Sequence, residues 1–248
     1  MKTILSIIIL FFLISCSDNQ KANLCEEGIN EAQKEIKEKG LVFIKYLTIG
    51  GGANRYDREL KTLLKESKIT FRYEPISCTE MEAGNEKRKC FTQKIENEIE
   101  NRYGKGFIEQ KSKQADKLFA NRVDYIFEDI ELDKKPYFIN PKGEENSSEE
   151  LVKYLNKHLK YPNKYELAKT VGERPFVELQ FIVNENGISR EFQITNSVFP
   201  DEKEKFKNYF EKEVLNIISK IPKWESGRIH GKKVDTRFTR RIPLDWII

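Results

Sequence analysis

Phe176-Val-Glu-Leu-Gln-Phe-Ile-Val183, followed by Asn184-Glu-Asn-Gly187 and Ile188-Ser-Arg-Glu-Phe-Gln-Ile194, decides the fold. Val177, Leu179, Phe181 and Val183 recur with period two, the pattern of a strand buried on one face. Asn186-Gly187 tolerates the positive φ of a tight hairpin turn. Ile188, Phe192 and Ile194 then alternate on the expected return strand. Further on, Pro200-Asp201 opens a helix that sets Phe206, Phe210, Val214, Ile217 and Ile221 on one stripe, and Pro222 stops it. The last strand is expected over Val234 to Leu244, with Val234, Thr236, Phe238, Ile242 and Leu244 on one face. Strand, strand, helix, strand is a small α+β unit whose helix must cover one face of the sheet.

Residues 24–39 read as an amphipathic helix ended by Gly40. Leu41 to Ile49 is a nearly continuous apolar run, as in a strand covered on both faces. Gly50-Gly-Gly52 breaks it, a helix runs from Arg55 to Ser67, and Ile69 to Tyr73 is the next strand. Strand, helix, strand of this length predicts a parallel βαβ unit. The glycine triplet reads as a turn, because neither Gly-Lys-Ser/Thr nor G-x-G-x-x-G follows it. Helices are expected over Lys87 to Tyr103 and Gly106 to Ala120, and a strand within 122–132. The resulting division is a signal segment at 1–15, an N-terminal α/β domain at 16–132, a linker at 133–148 and a C-terminal domain at 149–248. The fold class is α+β, a small α/β domain followed by a domain of helix, β-hairpin, helix and β-strand.

The start of the chain has the layout of an export signal: Met1-Lys2, an apolar run from Ile4 to Ile14, then polar Ser17-Asp18-Asn19-Gln20. That run is shorter than the roughly 20 residues that span a bilayer. Leu13-Ile-Ser-Cys16 resembles the lipobox of bacterial lipoproteins, which implies acylation of Cys16 and removal of what precedes it. Three cysteines then remain for an oxidising compartment. Cys78 and Cys90 flank the polar segment Thr79 to Lys89, and a disulfide closing that loop is the first choice, with a stabilisation of about 3 kcal/mol. Cys25–Cys78 and Cys25–Cys90 are the rival pairings.

The chain has 44 basic and 40 acidic residues, a net charge of +4, with no concentrated basic stretch. This favours solubility and argues against nucleic-acid binding. His158 and His230 are far apart, no C-x-x-C pair occurs, and no catalytic set is readable from spacing. No catalytic residue, metal, cofactor or small-molecule substrate is expected. His158 reads as a helix-surface residue, and Trp224 and Trp246 as packing anchors.

Tyr161-Pro162, Asn184 to Gly187, Ile221-Pro-Lys-Trp224, Gly231-Lys-Lys-Val234 and Ile242-Pro-Leu244 occur in order at spacings similar to those of the C-terminal domain of the TonB energy-transducer family. Lys135-Pro-Tyr-Phe138, Gly143-Glu-Glu145 and Leu151 to Pro162 are similar to the lead-in of Bacteroidetes members, so the resemblance covers about residues 136–246. It implies that the last strand pairs with a periplasmic segment of an outer-membrane transporter. Carried onto this chain, the partner-binding residues are Arg237, Phe238, Thr239, Arg240, Arg241 and Ile242, with Arg237, Thr239 and Arg241 facing away from Phe238 and Ile242. The chain departs from the family in having a lipoprotein-type signal and no long Pro-rich linker. The expectation is therefore a lipid-anchored envelope protein, facing the periplasm at the outer membrane, whose C-terminal domain is a protein-binding module. A TonB-type energy transducer and a structural or assembly adaptor are the alternatives.

Overall fold

The computed structural model describes residues 2–48, 51, 53–76, 85–139, 148–167, 174–221 and 223–245. The chain divides into two compact units, Met1–Asn121 and Arg122–Ile248. Together they have the mixed helix-and-strand composition of an α+β fold.

In the front unit, α1 (Lys2–Lys39) precedes β1 (Val42–Thr48), α2 (Asp57–Glu66), β2 (Thr70–Ile76), α3 (Asn85–Tyr103) and α4 (Phe107–Ala120). β1 and β2 are parallel, in register from Val42↔Thr70 to Thr48↔Ile76, so the βαβ expectation holds. Leu60, Leu63 and Leu64 of α2 pack with Val42, Ile44 and Phe71 of the strands and with Ile95 and Ile99 of α3. α1 lies along α3, and Gly28 permits the approach: a Cβ there would sit 2.1 Å from the Lys87 carbonyl oxygen.

Cys25 on α1 is bonded to Cys90 on α3, with Cα atoms 5.2 Å apart. The preferred Cys78–Cys90 pairing is thereby overturned in favour of one of its rivals. α3 begins at Asn85, so Cys90 belongs to a helix face turned to α1 rather than to the end of a loop. Cys78 lies outside the described residues, as do Gly50, Gly52, Pro222 and Trp246. The bond closes a sequence separation of 65. A loop of that size is worth about 4 kcal/mol in the chain-entropy account.

The C-terminal unit contains β3 (Phe127–Glu128), β4 (Tyr137–Phe138), α5 (Ser148–His158), β5 (Phe176–Val183) and β6 (Ser189–Val198). A 3₁₀ turn (Asp201–Phe206), α6 (Lys207–Ile218), β7 (Trp224–Glu225), β8 (Gly227–Ile229), β9 (Lys232–Val234) and β10 (Thr236–Pro243) complete it. The main sheet has the order β3-β10-β5-β6. β5 is antiparallel to both neighbours, while β3 runs parallel to β10. Val177, Leu179, Phe181 and Val183 are buried, together with Phe238, Ile242 and Leu244, against Phe210, Val214 and Ile217 of α6. Ile188, expected in the same series as Phe192 and Ile194, is instead exposed, because it precedes β6 in the turn.

The boundary between units falls after Asn121, not after residue 132, and 133–139 is no free linker. Phe127 and Phe138 explain this: both are buried, β3 pairs with β10, and β4 pairs with β7. Gly187 is needed twice over. It has φ +78°, and a Cβ there would lie 2.1 Å from the Trp224 carbonyl oxygen. The Trp224 amide donates to the Gly187 carbonyl at 3.2 Å, tying β7 to the hairpin. Trp224 is buried, with ring centres 4.9 Å from Phe181 and 5.7 Å from Phe238, as a packing anchor should be.

Candidate functional site

The residues singled out from the sequence, Arg237 to Ile242, form most of β10. Its register with β5 runs unbroken from Thr236↔Val183 to Pro243↔Phe176. Successive residues of a strand turn their main-chain groups to opposite neighbours. The Phe127 amide donates to the Asp235 carbonyl at 2.9 Å, and the Leu244 amide donates to the Pro175 carbonyl at 2.9 Å. Odd-numbered residues of β10 therefore direct N–H and C=O away from β5, and even-numbered residues direct theirs toward it.

That outer edge is closed at both ends. β3 pairs with Thr236 and Arg237 only, then turns into the 3₁₀ segment Asp129–Glu131, which a reciprocal cap between Glu128 and Glu131 fixes. At the other end, Pro243 has no N–H, and its carbonyl accepts the Asn156 side-chain amide at 2.9 Å. Asn156, on α5, is itself buried. Between these closures, among the described residues, no strand pairs with the outward N–H and C=O groups of Thr239 and Arg241.

Three guanidinium groups surround this opening, each in a different state. Arg237 is paired with Glu128 at 2.8 Å. Arg241 is exposed and stacks 3.7 Å from the Phe176 ring centre, with no carboxylate partner among the described residues. Arg240 shares the face of Phe238 and Ile242, and its Nε is buried with no hydrogen-bond partner. The expected grouping is thus divided: Arg237, Thr239 and Arg241 lie on one face, and Phe238, Arg240 and Ile242 on the other. Phe238 and Ile242 belong to the core and carry the strand rather than meet a partner. Thr239 accepts the Gln180 side-chain amide at 3.1 Å, which fixes its rotamer.

β10 is anchored at its far end by a buried polar cluster that the sequence did not reveal. Asp245 is buried at φ +61° and accepts Lys203 Nζ at 3.0 Å and the Tyr165 hydroxyl at 2.9 Å. Burial, and then the bond to Asp245, hold the Tyr165 phenol far above its ordinary range.

The opposite sheet edge, β6, is interrupted twice. Thr195 is extra between the pairs Glu178↔Asn196 and Leu179↔Ile194, and a second shift falls between Gln180 and Ile182. Glu191, inside the second shift, has φ +57°.

The other residues weighed from the sequence are scattered. His158 is an exposed residue of α5 whose Nδ1 lies 2.8 Å from the Tyr154 carbonyl oxygen. His230 occupies the β8–β9 turn, where its amide donates to Asp133 Oδ2 at 2.6 Å. In the front unit, Asp57 opens α2 and is buried. Its Oδ2 accepts Lys45 Nζ at 2.7 Å, the Tyr73 hydroxyl at 2.7 Å and the Asn54 amide at 2.8 Å, bonds that bind the helix start to both strands. Burial and Asp57 likewise push the Tyr73 phenol upward. Among the described residues there is no group of three His, Cys, Asp or Glu placed to hold a metal, and no helix long and apolar enough to cross a membrane. Comparison of the chain with family models, with curated proteins and with solved structures returns no match.

Proposed function

We propose that this chain is a lipid-anchored cell-envelope protein whose C-terminal unit binds other proteins by strand addition. An extended segment of the partner, rich in acidic residues, pairs with the outer edge of β10. The observation that carries the reading is the opening at Thr239 and Arg241, bounded by β3 at one end and by Asn156 at the other. An unpaired sheet edge gives an incoming chain main-chain hydrogen bonds, and side chains beside it select among segments. Arg240 and Arg241 supply positive charge there that no carboxylate among the described residues neutralises. The order hairpin, helix, last strand, with the helix over one face, agrees with the resemblance to the TonB C-terminal domain, and in that setting the partner is an outer-membrane transporter. The lipobox-like Leu13-Ile-Ser-Cys16 supports attachment through Cys16.

The test is an affinity pull-down from detergent-solubilised envelopes, comparing the intact protein with an Arg240→Gln/Arg241→Glu variant. Outer-membrane transporters should be enriched by the intact protein and lost with the variant. Equal recovery by both would move the binding surface away from β10.

A further inference from the structure

The front unit contains an open cleft of about 410 Å³ whose lining includes Glu31 and Glu35 of α1, Tyr46 of β1, Arg72 and Glu74 of β2, and Lys87 of α3. Its position has a physical logic. Tyr46 and Glu74 lie two residues from the ends of β1 and β2, Arg72 lies two residues before Glu74, and Lys87 lies in the first turn of α3. In α/β units the crevice outside the carboxyl ends of parallel strands is where ligands bind. The volume falls within the range of small-molecule sites, about 300–1,000 Å³.

Besides Arg88, which lies over the Tyr46 ring 5.5 Å from its centre, the walls carry opposite charges already joined in pairs. Arg72 reaches Glu35 at 2.6 Å on one side and Glu74 at 2.6 Å on the other. Lys87 reaches Glu27 at 2.5 Å and Glu31 at 2.7 Å. The Arg72 Nε is buried and has no hydrogen-bond partner, so this guanidinium keeps an unused donor. The aromatic surface of Tyr46 is held in place by a 3.2 Å bond between its hydroxyl and Thr92. The α1–α3 wall is stiff, because the Cys25–Cys90 bond and the close packing at Gly28 fix Lys87 relative to Glu27 and Glu31.

This charge arrangement selects its ligand. A simple anion taking Arg72 would displace Glu35 or Glu74 and leave carboxylates facing one another without a cation. A simple cation taking a glutamate would strip Arg72 or Lys87 of its partner. Leaving a desolvated charge unpaired is costly. A molecule with both an ammonium and a carboxylate exchanges with the internal pairs and leaves every charge matched. We infer that this cleft binds a small zwitterion of the α-amino-acid or short-peptide class, its carboxylate on Arg72, its ammonium on the glutamates of α1 and its side chain against Tyr46.

Calorimetric titration of the disulfide-intact protein with free amino acids and unprotected dipeptides tests this, with N-acetylated, amidated dipeptides, acetate and ethylammonium as controls. Saturable binding is expected for at least one zwitterion and for none of the controls. Arg72→Met should weaken it tenfold or more. Glu31→Gln, at a partly exposed position on α1, should weaken it several-fold while the far-ultraviolet spectrum stays native. The inference is overturned if no zwitterion binds saturably, if acetate or the blocked peptides bind equally well, or if a folded Glu31→Gln protein binds unchanged.

Discussion

β6 and β10 bound the same sheet in contrasting ways. β6 runs for 10 residues and its pairing is broken twice; β10 keeps one register along its length and is open only around Thr239 and Arg241. Bulges twist an edge and spoil it as a template, a common protection against unwanted pairing. β10 is protected differently, by closure at both ends and by charge. Two copies of this edge brought together would set the arginines of one against those of the other, and like charges directly opposite destabilise a strand pair. On the proposed reading, the long edge is protected against pairing and the short edge is left open to a selected partner.

Proline substitution breaks the contrast most strongly. Thr239→Pro removes an outward N–H without removing a donor from the β5 ladder. Loss of that bond, with the ring crowding the incoming strand, should reduce partner affinity at least tenfold, about 1.4 kcal/mol or more. Ser197→Pro removes an outward donor from β6, since Ser197 faces Val177, whose main-chain groups point to β10. It should change affinity less than twofold. Surface plasmon resonance with the partner recovered from envelopes reads both.

Charge gives the next effect. Arg240→Gln/Arg241→Glu should slow association several-fold and flatten its dependence on ionic strength, because charges beside an interface steer encounter and are screened by salt. The same exchange at Arg190 on β6, which is paired with Asp235 at 3.2 Å, should leave the association rate unchanged.

A smaller effect is expected where β10 is closed. Asn156→Ala frees the Pro243 carbonyl and should lower stability by about 1 kcal/mol, seen as a drop in Tm, with partner binding retained. The smallest effect concerns pH. Tyr165 is held neutral in the folded state, so its phenol is raised above the unfolded value of about 10. The associated stability is complete below that pH and is lost as pH rises toward the folded value. Tm should fall above about pH 10, and Tyr165→Phe should make that fall shallower. The loss should appear at the β10 end, which Asp245 anchors, before it appears at β6.

Much of this contrast can be read from residues and part of it cannot. Period-two alternation in Phe176–Val183 and Thr236–Pro243, and the stripe Phe210, Val214, Ile217 on α6, locate three of the elements around the edge, because each pattern is local. The closure by Phe127–Glu128 is a two-residue contact whose register partner Arg237 is separated from Glu128 by 109 positions, too short to leave a periodic signal. The Asn156–Pro243 bond spans 87 positions and depends on one rotamer. The expectation of a Cys78–Cys90 pairing fails for a related reason. Proximity in sequence favoured Cys78, but the packing of α1 on α3 decided the partner. Arg240 is expected among the partner-binding residues of the last strand, and strand alternation places it on the face of Phe238 and Ile242, where its Nε is buried.

Hydrogen exchange at single residues, in the free protein and in the complex recovered from envelopes, tests the central claim most directly. The account predicts that the Thr239 and Arg241 amides exchange quickly in the free protein and become protected in the complex, while the amides of β6 do not change. Protection confined to β6, or no change at Thr239 and Arg241 in a saturated complex, would contradict it.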